Sequence, residues 1–347
     1  MNRREFVALA TVSPLTSPLA GMANEPPPVR LGIDLFSLRS QKWTPIQFLD
    51  YCAKQQVQVV HFSEIRFLGS LEPSNLRMVR DHAKELGLQL EIGMKSICSS
   101  SKMFEPAKGT AEEQLSRMID SAKLIGSPIV RCVLGSADDR KPGPIEAHMK
   151  DMVQVLHHVR SKAMDSGVKI AIENHAGDMQ ALELKSMVEQ AGPDFVGICL
   201  DSGNPLWTME DPHVLLEVLH PYVLTSHVRD TAVWNVPQGA AVTWVQMGRG
   251  NVDIDSYVRK YIELCPGKAV SMESILLGPR IMPFRDKAFW DQYRNMPAWE
   301  FERYREIADS GKPYKEEPWE AAGEPERERL ALEESLAYTK KLIGVRT

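Results

Sequence analysis

The sequence is short of several things that would name a function at once. It has no Cys-x-x-Cys pair, and its five cysteines (Cys52, Cys98, Cys132, Cys199 and Cys265) are an odd number. A disulfide framework and a cysteine-based zinc site are therefore not indicated, and Cys132 and Cys199, inside apolar runs, read as small buried hydrophobes. Positive charge is scarce: 41 Lys and Arg against 46 Asp and Glu give a net charge of −5. Such a chain offers no basic field to a phosphate backbone, so nucleic acid is not an expected partner. No Gly-x-Gly-x-x-Gly follows the first strand-like run, which removes the main support for an open dinucleotide-binding sheet. The Gly248–Gly250 turn lacks the Lys-Ser/Thr that a phosphate loop needs. Long apolar runs are also missing. The only candidate lies near the N-terminus and is broken by Pro14 and Pro18, so no stable membrane span is expected.

That N-terminus carries Asn2-Arg3-Arg4-Glu5-Phe6, a weakly apolar stretch, and then Gly21-Met22-Ala23. Paired arginines ahead of such a stretch and a small-residue cleavage site read as a twin-arginine-type export signal over residues 1–23. Residues 24–28, ending in three prolines, read as an extended tether. The expectation is a periplasmic protein whose single folded domain occupies residues 29–347.

Within that domain, short apolar and β-branched runs alternate with helical patterns. Strands are expected near 29–34, 57–62, 88–93, 128–134, 168–172, 195–200, 222–228 and 268–272. Helices are expected near 45–55, 73–86, 111–125, 145–166, 180–191, 211–219 and 253–264, with glycines at 87, 126 and 167 placed to stop three of them. Eight such repeats in roughly 250 residues predict an α/β fold, a (β/α)8 TIM barrel. Residues 277–320, rich in proline, aromatics and charge, read as a long insertion after strand 8, with a short helix near 297–309. It either folds over the rim or serves a dimer contact, which leaves a homo-oligomer open. Residues 324–343 read as the closing helix.

What the sequence does have is a set of four metal-binding residue types, each at the end of a strand-like run. They are Glu173 in Ile170-Ala171-Ile172-Glu173, Asp201 in Ile198-Cys199-Leu200-Asp201, His227 in Thr225-Ser226-His227 and Glu273 in Ser271-Met272-Glu273. In a barrel the C-terminal strand ends meet at one rim, so three carboxylates and one imidazole would converge there. Oxygen ligands suit Mg²⁺ and Mn²⁺, while the imidazole shifts preference toward Mn²⁺, Co²⁺ or Zn²⁺. One divalent ion is the expected cofactor. His175, two residues past Glu173, would share its face of the strand. Lys95 past strand 3, Arg131 within strand 4, and His61 and Glu64 near strand 2 are further candidates for substrate contact. Arg131 has the alternative of pairing with a buried carboxylate. Arg229 and Asp230 directly follow His227, and Asp230 reads as support for that ring.

These segments resemble the xylose isomerase-like TIM-barrel superfamily, in its sugar (phosphate) isomerase/epimerase branch. The likeness rests on Ile172-Glu173-Asn174-His175, Leu200-Asp201-Ser202-Gly203-Asn204, Ser226-His227-Val228-Arg229-Asp230, Gly248-Arg249-Gly250-Asn251-Val252-Asp253 and Met272-Glu273. It implies that the four strand-end residues bind one divalent metal. It also implies that Glu173 and Glu273 form an acid/base pair on opposite faces of a sugar, working through a metal-stabilised enediolate. Asn204 stands where the sugar epimerases commonly carry a substrate histidine, and Val233 stands where they carry an arginine. Substrate hold-down therefore differs from theirs, with His175, Asn204 and Arg229 as the nearby candidates. Endonuclease-IV-like barrels need extra histidines in motifs that this chain lacks. The expected function is a metal-dependent isomerase or epimerase acting on a small carbohydrate or keto-sugar. The alternatives are a 3-keto-glycoside lyase or hydrolase acting by β-elimination and, from another class, a non-catalytic carbohydrate-binding barrel.

Overall fold

The structure is a computed structural model that describes residues 29–141 and 143–344. The expected export signal and the proline tether lie outside the described residues. Eight parallel strands form one sheet: β1 (Arg30–Asp34), β2 (Val59–Phe62), β3 (Gln89–Ser96), β4 (Ile129–Val133), β5 (Lys169–Glu173), β6 (Val196–Asp201), β7 (Val223–His227) and β8 (Ala269–Met272). Each strand pairs with the next in sequence, and β8 pairs back onto β1. The last seam, β7 to β8, closes through Val228 N–H to Ser271 C=O at 2.7 Å and Glu273 N–H to Val228 C=O at 3.1 Å. The fold is thus the (β/α)8 barrel that the alternating pattern predicts.

The helices between the strands are α1 (Pro45–Lys54), α2 (Pro73–Glu85), α3 (Ala111–Ile125), α4 (Ile145–Ser166), α5 (Ala181–Ala191), α6 (Pro212–Leu219) and α7 (Ile254–Leu264). Local chemistry sets their ends. Thr44 with Gln47 and Thr110 with Glu113 form reciprocal caps at the starts of α1 and α3. Gly126 stops α3 in the left-handed region, at φ 84°. Strand residues alternate between two environments. One set, including Leu31, Val60, Ile92, Val130, Ile170 and Ile198, packs outward into the main apolar core with the helices. The other set faces inward, where Ile129, Ala171 and Cys199 form a small separate cluster touched by Leu224. Glu173 and Asp201 follow Ala171 and Cys199 by two residues. Alternation therefore aims them into the barrel at its C-terminal rim.

Two features differ from the simple eightfold pattern. Residues Asp230–Val236 and Gly239–Val245 form an antiparallel hairpin between β7 and α7, and Arg280–Met282 adds a third strand to it. The sequence reading treated 230–252 as a connection and recorded no strands there. The region after β8 is an insertion, as expected. It holds the third strand of that sheet and helix α8 (Ala298–Ser310), before the closing helix α9 (Glu324–Leu342). Among the described residues no helix is long and apolar enough to cross a membrane.

Candidate metal centre and active site

Four inward-facing side chains converge where their strands end. Glu173, Asp201, His227 and Glu273 each offer a ligand atom, and all of these atoms lie within 4.8 Å of one another. All four residues are buried. His227 directs Nδ1 at this cluster, 3.2 Å from Glu173 Oε2 and 3.6 Å from Glu273 Oε2. That Nδ1 is buried without a hydrogen-bond partner, while Glu273 Oε2 pairs with Arg229. Three carboxylates packed this closely, with an imidazole nitrogen left free among them, fit a divalent cation of the hard-to-borderline class.

The local sequence explains why each ligand stands as it does. Asn174 pairs edge-on with the Asp201 backbone, accepting its N–H at 2.8 Å and donating to its C=O at 2.9 Å. Ser202 does the same for Arg229, with hydrogen bonds of 2.7 and 2.9 Å. These two side chains extend the sheet past its last strand residues and hold β5, β6 and β7 in register at the rim. Asp201 Oδ1 accepts the N–H groups of Gly203 and Asn204 at 2.8 and 2.7 Å. This fixes the rotamer and turns Oδ2 toward the cluster, where Arg229 donates to it.

Behind the ligands lies a polar layer whose charges set their protonation. Arg131 Nε donates to Glu173 Oε2 at 2.5 Å, so of the two readings this arginine takes the carboxylate pairing. Burial alone would push the Glu173 carboxyl up, but Arg131 and His227 outweigh it and hold it well below the usual carboxylate range. Burial would lower His227, yet the Asp34 and Glu173 carboxylates around it raise it well above an ordinary histidine. Asp201 is raised, because burial exceeds the attraction of Arg229. Cys199 shares a second small group with His61 and His227. Burial pushes its thiol up to about 11, which keeps it protonated.

Two assignments made from the sequence change. His61 is not at the rim with substrate; it is fully buried behind the cluster, with Nδ1 2.9 Å from His227 Nε2. On β2, His61 is the register partner of Asp34 on β1, so both stand behind His227, away from the cavity. Asp230 does not support His227. Its carboxylate accepts backbone N–H groups from Thr231, Gly248 and Gly250 and so anchors the 248–250 turn. The support falls instead to Asp34, whose Oδ2 lies 2.9 Å from His227 Nε2.

The remaining candidates line a cavity of 330 Å³ over the cluster, together with Phe36, Met103, Trp207, Trp244 and Ile275. His175 lines it with its Nδ1 tied to Gly135 C=O at 2.6 Å. Asn204 donates to Glu173 Oε1 at 3.3 Å. Lys95 reaches it while paired to Glu105 at 3.0 Å, and Glu64 is part of the same wall. Arg229 lies across the ligands, donating from Nε to Asp201 Oδ2 at 3.1 Å and pairing with Glu273.

The hairpin absent from the sequence reading supplies part of this wall. Trp244 stacks on Trp207 with ring centroids 4.2 Å apart and planes within 6°. Arg229 covers the outer face of Trp244 at 4.1 Å, and Arg280 covers Trp207 at 4.6 Å. A four-layer stack of guanidinium, indole, indole and guanidinium therefore forms one side of the cavity. The signal available in the sequence was the alternation of Val233, Asn235, Ala240 and Val242 with Ala232, Trp234 and Ala241 around Gln238-Gly239.

A family model described as xylose isomerase-like TIM barrel matches residues 51–264. The 3-oxo-isoapionate decarboxylase of Pectobacterium atrosepticum is 24% identical over 210 residues, which are 60% of this chain and 69% of that protein. Among solved structures, D-psicose 3-epimerase with D-tagatose from Clostridium cellulolyticum H10 superposes with a TM-score of 0.61 at 13% identity. The match covers 91% of this chain and 99% of that one. A structure of the IOLI protein with a zinc atom gives a TM-score of 0.54 at 16% identity, covering 80% and 96%. At these identities the structural likenesses show the shared barrel.

Proposed function

Because this chain belongs to the xylose isomerase-like TIM-barrel family, we propose that it is a divalent-metal-dependent enzyme that moves a proton beside the carbonyl of a keto-sugar, an isomerase or epimerase. The observation that carries this reading is the convergence of Glu173, Asp201, His227 and Glu273 within 4.8 Å under a cavity of sugar size. These four residues would hold the ion, and the zinc-bearing neighbour supports a metal at this rim. When bound, the ion supplies Lewis acidity to a ketone and its neighbouring hydroxyl, which acidifies the C–H between them.

The chain's own groups do the rest. Arg131 keeps Glu173 ionised, so this carboxylate is ready to take the acidified proton. Glu273 comes from β8, three strands further round the barrel, and lines the cavity. In the role the family resemblance implies, it would meet the sugar from the other side. A proton returned there to the same carbon gives an epimer, and one returned to the neighbouring carbon gives an isomer. Asn204 and His175 are placed to hold hydroxyls, and the apolar walls of Phe36, Met103 and Ile275 limit water. Two carboxylates beside one substrate site are what proton removal and return need, which favours an enzyme over a barrel that only binds sugar. The twin-arginine-type signal supports a periplasmic enzyme.

A second reading, β-elimination from a 3-keto-glycoside, uses the same first step and then expels the substituent. It is favoured by the 24% identical relative, whose name marks a 3-oxo compound as its substrate. Proton NMR in D₂O on the Mn²⁺-loaded protein, given free ketoses and 3-keto-glucosides in turn, tests both. Exchange and interconversion of free ketoses supports the isomerase reading. Aglycone release without interconversion supports elimination, and exchange with none of them refutes the proposal.

A further inference from the structure

The cavity above the four ligands shares two of its wall residues with a neighbouring space. This second space, of 170 Å³, is bounded by Ile65, Arg66, Met94, Glu105, Lys108 and Gln114. Glu64 and Lys95 belong to the walls of both, so the two spaces are neighbours on either side of this pair. The main cavity, at 330 Å³, sits at the low end of the range for small-molecule sites, about 300–1,000 Å³. It has room for one reacting ring and little beyond it. We propose that the smaller space binds a second sugar unit attached to the reacting ring, so that the substrate is an oligosaccharide or sugar-substituted glycoside rather than a free monosaccharide. This assignment deepens the keto-sugar reading above and rests on it.

The chemistry of the second space selects a neutral, polyhydroxylated occupant. Its charges are already matched: Arg66 pairs with Glu64, and Glu105 pairs with both Lys95 and Lys108. Both lysines hold the Glu105 carboxyl below its usual range, with Lys108 the stronger influence. An ionic ligand would have to displace one of these partners. A hydroxyl, which donates and accepts, can bridge the edge of an ion pair without breaking it. Ile65 and Met94 add an apolar strip against which the C–H face of a sugar ring can lie. Among the described residues, none of the wall residues special to this space hydrogen-bonds or ion-pairs with the four metal-binding side chains. The compartment thus sorts substrates by what is attached to the ring, independently of the chemistry at it.

The test compares methyl 3-keto-β-glucoside with 3-keto-cellobiose on the full-length, Mn²⁺-loaded protein. Calorimetry gives the two Kd values, and C–H exchange in D₂O is followed separately. The disaccharide is expected to bind about tenfold more tightly, the worth of one well-placed group of contacts. Lys108→Ala, at an exposed position, should bring the ratio to roughly threefold or less, and Gln114→Ala is the second variant from the same wall. Equal affinities, or a preference for the methyl glycoside, would overturn the second compartment, as would a preference that survives both substitutions or no binding of either sugar. Exchange of both sugars at equal affinity overturns the compartment while leaving the proton-transfer reading intact. Tighter disaccharide binding with no exchange does the reverse.

Discussion

His227 Nε2 lies 2.9 Å from Asp34 Oδ2, while the opposite ring nitrogen faces Glu173 and Glu273. A carboxylate behind an imidazole fixes the ring's tautomer and orientation and makes its free nitrogen a better ligand. The pair holds Asp34 at about 2: burial opposes ionisation, but His227 and His61 outweigh it. Asp34→Asn keeps the shape and removes the charge. Metal affinity, measured by chelator competition, is expected to fall about 10- to 100-fold, with the far-ultraviolet circular dichroism unchanged. An unchanged affinity would show that Asp34 does not orient the ligand.

Glu173 has two burdens, proton transfer and neutralising Arg131, and they separate by mutation. Glu173→Gln is expected to reduce C–H exchange by at least about 10²-fold, the usual worth of a positioned base. It also leaves the buried Arg131 guanidinium without its partner, a situation that typically costs about 3–5 kcal/mol. The double variant Arg131→Met with Glu173→Gln should therefore regain much of the lost thermal stability and none of the activity. If the single variant melts at the wild-type temperature, the ion pair is not a structural element.

Much of this architecture was legible in the sequence because the barrel repeats one simple rule. Period-two alternation inside short apolar runs fixes which residues point inward, and the last inward residue of each run sits at the rim. Glu173, Asp201, His227 and Glu273 follow directly. Asp34 obeys the same rule at the end of β1, but a single Asp after an apolar run is also an ordinary helix-capping residue, and it does accept Phe36 N–H at 2.6 Å. His61 obeys the rule too, in register with Asp34, but the rule does not show that His227 covers it and keeps it from the cavity. The hairpin after β7 was missed for a different reason. Its alternation is real, but its small residues Ala232, Ala240 and Ala241 weaken the strand signal. Only the folded chain shows that Trp244 meets Trp207, some forty residues away in sequence.

Gly203 gives a steric test of the Arg229 position. Its backbone, at φ −94°, is open to any residue, so conformational freedom is not the reason for glycine there. A Cβ would lie 2.6 and 2.7 Å from Arg229 Cγ and Cδ and 2.9 Å from Trp244 Cδ1. Gly203→Ala must push Arg229 off Asp201 or spread the stack, and is expected to cost about 1–3 kcal/mol and to raise KM. Gly278→Ala meets nothing within 4 Å and should stay within about 0.5 kcal/mol of wild type. Equal melting temperatures for the two variants would mean that Arg229 is not confined.

Glu210 supplies a pH test that is remote from the metal-binding residues. Its carboxyl is buried beneath the start of α5, accepting Ala181 N–H at 2.8 Å and the Thr208 hydroxyl at 2.7 Å. Burial pushes it up to about 8, beyond what these two hydrogen bonds can offset. In the unfolded chain it titrates as an ordinary glutamate, near 4.5. Between those two values the unfolded chain has released a proton that the folded chain still holds, so rising pH favours unfolding. The contribution is fully present below about pH 4.5 and is lost as pH climbs through about 8. Glu210→Gln cannot ionise and escapes this loss. The difference in melting temperature, variant minus wild type, should therefore grow more positive between pH 5 and pH 8. A difference that stays flat over that interval would mean that Glu210 is already ionised in the folded protein at neutral pH.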